Sequence, residues 1–69
     1  MFPNLMAEMA RQGVTKAQIA KHLHRSPATV TAKFRGISQF TVDEAISIRR
    51  LLGVEMPISE LFAKRKNDG

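Results

Sequence analysis

The hydrophobic positions recur at helical spacing, and glycines and prolines divide them into five stretches. The first is predicted from Pro3 to Gln12, with Leu5, Met9 and Ala10 near one face. Pro3 suits the first helical position, and Gly13 supplies a left-handed terminator followed by Val14. The second opens at Thr15-Lys16-Ala17-Gln18, a Thr-x-x-Gln capping box, and turns Ile19, Ala20 and Leu23 inward. It is expected to stop near Leu23. Ser26 is a good N-cap for a third helix, Pro27 fits the next position, and a proline disfavours helical geometry at the residue before it. Val30 and Phe34, four apart, form the buried edge of that helix, and Gly36 ends it. After a loop at 37–40, Thr41-Val42-Asp43-Glu44 makes a second capping box. Both of its acids lie where the helix dipole favours them. The fourth helix is expected to turn Ala45, Ile48, Leu51 and Leu52 inward and to close at Gly53. A short fifth helix runs from Pro57 to Phe62. No long alternating run predicts a strand, so the expected class is all-α, a compact five-helix bundle.

Composition narrows the reading. Sixty-nine residues allow one small domain, assigned to residues 1–63, with 64–69 as a polar tail. With no cysteine, disulfides, thiolate metal sites and a cysteine nucleophile are excluded, and a reducing cytoplasm is the expected location. No apolar run approaches the roughly 18 residues of a membrane span, and Met1-Phe2-Pro3-Asn4 lacks the basic start of a signal peptide.

The net charge is +5, with 11 Lys+Arg against 6 Asp+Glu, and it is unevenly placed. Residues 9–42 carry Arg11, Lys16, Lys21, Arg25, Lys33 and Arg35 and no acid, whereas residues 43–69 are balanced. The excess therefore falls in residues 9–42, the stretch that holds the second and third helices, which points to a polyanionic partner.

Two short capped helices separated by about three residues make a helix-turn-helix candidate, in which the second helix would enter the DNA major groove. Ile19, Ala20, Leu23 and Val30 supply the small and apolar residues that the helix crossing needs. The chain resembles the Cro/repressor (XRE-type) helix-turn-helix family of phage and bacterial regulators. The likeness runs over Thr15-Lys-Ala-Gln-Ile-Ala-Lys-His-Leu, His24-Arg-Ser-Pro-Ala-Thr-Val-Thr-Ala-Lys-Phe-Arg-Gly36, Phe40-Thr-Val-Asp-Glu-Ala-Ile, and Leu51-Leu-Gly-Val through Leu61-Phe62. The resemblance implies a lambda-repressor-like bundle acting as a sequence-specific DNA-binding domain, often a homodimer. The turn position that the family usually gives to glycine is His24 here, and a residue there often needs positive φ.

On this reading Pro27, Ala28, Thr31, Ala32 and Arg35 face the bases. Ala and Thr methyls meet a thymine methyl, and Arg35 is the one bidentate donor for guanine. Without the family's usual Gln or Asn in this helix, DNA shape and water are expected to share the readout. Thr15, Lys16, Ser26, Lys33 and Ser38 are the expected phosphate contacts. Six or so neutralised phosphates would make binding fall steeply with salt. Met56, Ile58, Leu61 and Phe62 are read either as core or as a dimer surface. Lys64-Arg65-Lys66 is read as a solvated tail, with a backbone-contacting arm as the alternative.

Catalytic residues, metal ligands, cofactors and a small-molecule ligand are not expected. His22 and His24 are two apart and cannot share a helix face, and Asp43 and Glu44 are explained by capping. Two other readings stay open. One is an antitoxin-like or phage accessory module that uses the same fold to bind a protein. The other is a basic amphipathic helix on a membrane surface.

Overall fold

A short helix persists when its terminal N–H and C=O groups find partners, and here the sequence supplies most of them. The computed structural model describes residues 2–64 and contains five α-helices among them: α1 Pro3–Gln12, α2 Lys16–Leu23, α3 Pro27–Phe34, α4 Val42–Leu52 and α5 Ile58–Leu61. Both capping boxes form. The Gln18 N–H donates to Thr15 Oγ1 at 3.1 Å, and the Thr15 N–H donates back to Gln18 Oε1 at 2.7 Å. The corresponding distances are 3.1 and 2.9 Å between Glu44 and Thr41. Ser26 Oγ accepts from the Thr29 N–H at 3.2 Å, so α3 is capped as well. Gly13 closes α1 at φ 69°, with the Val14 N–H returning to the Met9 carbonyl at 2.9 Å. The fifth helix is shorter than 57–62, because Pro57 and Phe62 serve as its caps.

Helix α4 is the element on which three of the other four helices pack. It contacts α1, α2 and α5, while α2 also packs on α3 and α1 on α5. Leu5, Ile19, Val30, Ile48 and Leu61 are fully buried at the centre. Four phenyl rings, Phe2, Phe34, Phe40 and Phe62, join edge to face with centroids 5.3–6.3 Å apart. Quadrupole attraction favours that geometry. The Cα radius of gyration, 11.3 Å, matches the roughly 11 Å of a compact chain of this length.

Two inward assignments change. Leu51 is 37% exposed, because Ala45, Ile48 and Leu52 complete the inner stripe and leave it on the flank. Ala10 is exposed for the same reason, and Glu8 joins Leu5 and Met9 on the buried side of α1. Residues 65–69, which include Arg65 and Lys66 of the expected tail, lie outside the described residues. No helix among the described residues is long and apolar enough to cross a membrane.

Candidate nucleic-acid interface

The connection between α2 and α3 is three residues long: His24, Arg25 and Ser26. It reverses the chain through one left-handed residue. His24 has φ 58° and ψ 41°, the only positive φ at a non-glycine residue among those described. The His24 N–H donates to the Lys21 carbonyl at 3.2 Å and the Arg25 N–H to the Ala20 carbonyl at 2.9 Å. These bonds satisfy the last carbonyls of α2 and leave Ser26 extended as the cap of α3. Ile19, Ala20 and Val30 are buried where the two helices meet, and Leu23 is partly so. Ala20, at 2% exposure, has no space for a larger side chain without displacing α3.

The geometry brings most of the expected base-facing set onto one surface. Pro27, Ala28, Thr31 and Arg35 are exposed along one side of α3, and Ala32 is half-buried at its margin. These side chains are short except for Arg35, so the helix presents a low profile with one long donor at its C-terminal end. Thr15, Lys16, Ser26 and Ser38 are exposed too. Thr15 and Ser26 use their hydroxyl oxygens in capping; Ser26 Oγ also lies 2.8 Å from Thr29 Oγ1. Lys16 Nζ sits 5.2 Å from the centroid of the Phe34 ring, an attraction that holds its cation near the end of α3.

Lys33 is not part of this surface. It is buried, its Nζ donating to Glu44 Oε1 and to the Gln39 carbonyl, both at 2.9 Å, with the Phe40 ring 5.9 Å away. The spacing Val30, Lys33, Phe34 puts it on the inner face of α3, and a carboxylate is waiting there. Leu61 is likewise core rather than dimer surface. It is fully buried, whereas Met56, Ile58 and Phe62 around it are half-buried. Of the six cations in residues 9–42, Arg11 pairs with Glu8 at 3.0 Å, and Lys33 and Arg25 share Glu44. Lys16, Lys21 and Arg35 have no ion-pair partner among the described residues.

Glu44 is the residue whose second role the sequence hid. Its carboxylate accepts from Lys33, from the Thr41 N–H and from Arg25 Nε at 3.1 Å. Burial pushes its pKa up, but the Lys33 ammonium, the Thr41 N–H and Arg25 outweigh burial and hold it below the usual 4.5. One carboxylate on α4 thus ties down the connector ahead of α3 and the last turn of α3 itself.

A second feature lies away from α2 and α3. An open apolar cleft of about 280 Å³ is walled by Phe2, Phe40, Val42, Ala45, Ile58 and Phe62. Val42, read from the sequence only as part of a capping box, stands at 74% exposure on its wall. No protein-family model, curated protein or solved structure matches this chain.

Proposed function

We propose that this protein is a sequence-specific double-stranded DNA-binding transcriptional regulator of the Cro or small-repressor kind, with α3 in the major groove. The observation that carries the reading is the exposed face Pro27, Ala28, Thr31 and Arg35. Its low relief suits groove entry, and the unpaired cations Lys16 and Arg35 flank it. The acid-free stretch and the family resemblance support the same reading. Catalysis is not part of the proposal, and double-stranded DNA is the partner. A homodimer through Met56, Ile58 and Phe62 belongs to it, with half-sites about 10–10.5 base pairs apart or a multiple of that. The ion pairs revise the electrostatic expectation. Three cations, Lys16, Lys21 and Arg35, remain unpaired for phosphates, so log K should fall with log salt at a slope of about −2 to −3 per chain rather than one set by six.

The test is a selection on random duplex DNA followed by anisotropy titration of the winner against random-duplex competitor. A winner bound at least about 1,000-fold more tightly than random duplex supports the reading. Equal affinity for all duplexes at physiological salt removes the claim of specificity.

The apolar cleft favours a second reading, a protein-interaction module of the antitoxin-like or phage accessory type. Val42, Ile58 and Phe62 offer desolvation energy to a protein rather than charge to DNA. The discriminating outcome is a Val42→Lys variant that keeps full DNA affinity but loses capture of the product of an adjacent reading frame.

A further inference from the structure

Arg25, absent from the expected phosphate contacts, is the cation with the most defined setting on the α2–α3 side. Two cations share the single carboxylate of Glu44. Lys33, at 7% exposure, is the more demanding of the two, since a buried ammonium needs a full counter-charge to offset its lost hydration. Lys33 therefore balances Glu44, and the charge of Arg25 is left over. Arg25 uses only its Nε on the carboxylate, and its Nη groups have no partner among the described residues. Its side chain is 52% exposed, while the Glu44 side chain that grips it is only 7% exposed.

A guanidinium held at Nε has its plane fixed before any anion arrives, so less side-chain freedom is lost on binding. Arg11 provides the contrast. Its Nη2 pairs with Glu8 in a one-to-one pair of no net charge, on a side chain 74% exposed.

We propose that Arg25 is a DNA-backbone contact, its free Nη groups donating to a phosphodiester oxygen while Glu44 holds its Nε. The inference rests on the DNA-binding reading above and deepens it by assigning a phosphate to the connector between α2 and α3. Arg25 accounts for one released counterion, and Arg11 for none.

The experiment titrates the full chain against a fluorescein-labelled random-sequence duplex between about 50 and 200 mM salt, comparing wild type, Arg25→Ala, Arg25→Gln and Arg11→Ala. Arg25→Ala is expected to weaken binding about 3–10-fold at low salt and to reduce the slope by about 0.9, with Arg11→Ala leaving the slope unchanged. Arg25→Gln retains a hydrogen-bond donor for Glu44 without the charge. It gives the same slope reduction in a folded protein even where Arg25→Ala melts, as circular dichroism would report. Steep salt dependence in wild type with an unaltered slope in Arg25→Gln overturns this assignment and leaves DNA binding standing. An equal slope reduction in Arg11→Ala also overturns it, because net charge alone would then explain both. Failure of wild type to bind any duplex at low salt removes this inference together with the reading beneath it.

Discussion

On the outer face of α3, the exposed side chains are short or cationic: Pro27, Ala28 and Thr31, with Lys16 and Arg35 around them. On the α4–α5 side, the two helices carry Arg49 and Arg50 against Asp43, Glu44 and Glu60, with no cationic excess, and Val42 projects beside an apolar cleft walled by Phe40, Ile58 and Phe62. A cationic surface of the first kind attracts anions over about a Debye length, an attraction that salt screens. The second attracts only on contact, by releasing water from apolar area. The contrast teaches that the net charge of +5 is a local property of this chain. It also gives the two surfaces different chemistry, one cationic and one apolar.

Glu44 is where the separation of the two sides breaks down, and it gives the largest expected effect. It belongs to α4 yet fixes the connector and the last turn of α3. Glu44→Ala leaves Lys33 buried without its counter-charge and is expected to cost about 3–5 kcal/mol. That is comparable to the whole stability of a small domain, so the variant should be largely unfolded in a urea titration read by circular dichroism. Glu8→Ala, which removes the partner of the exposed Arg11, should cost under about 1 kcal/mol. Similar losses for the two would erase the distinction between a buried cation and an exposed one.

The depressed pKa of Glu44 adds a pH dependence of definite sign. Its contribution is complete above the ordinary carboxylate value of 4.5 and is lost as pH falls through the lower folded-state value. Wild type should therefore lose more Tm on acidification below pH 4.5 than Glu44→Gln does. Parallel Tm curves for the two proteins would contradict that.

Two substitutions sharpen the α2–α3 side itself. Lys16→Ala should weaken binding several-fold to every duplex and flatten the salt slope by about 0.9. Thr31→Ala should change which sequences are preferred while keeping the slope, because a hydroxyl on α3 carries no charge to neutralise phosphate. An exchange of those two outcomes would invert the assigned roles.

The smallest expected effect is a gain. His24→Gly removes the cost of a left-handed conformation at a non-glycine residue, partly offset by the added freedom of glycine in the unfolded chain. A stabilisation of about 0.5–1 kcal/mol should raise Tm by about 2–8 °C. An unchanged or lower Tm would mean that the exposed imidazole contributes more than its backbone strain costs.

The residues that could be read directly are those whose role is local. Thr15, Ser26 and Thr41 cap helices within three residues of themselves, whereas the left-handed turn at His24 is expected only from the resemblance, in which glycine usually holds that position. Lys33 resisted the reading because its residue type says surface while its spacing says core. The carboxylate that resolves the conflict is distant in sequence and already explained by its capping box. Leu61 and Phe62 are adjacent apolar residues, and which one turns fully inward depends on how α5 sits against α1 and α4, a tertiary fact. The exposed face of α3 was legible because a helix fixes it once Val30 and Phe34 are known to be inside. What that face binds is a matter of chemistry outside the chain.

The most direct test of the central claim is a selection from random duplex DNA with footprinting of the winner. The account predicts enrichment of one short sequence, protected in the major groove and lost in a variant carrying Thr31→Ala and Arg35→Ala together. Recovery of no preferred sequence, with all duplexes bound equally at physiological salt, would contradict it.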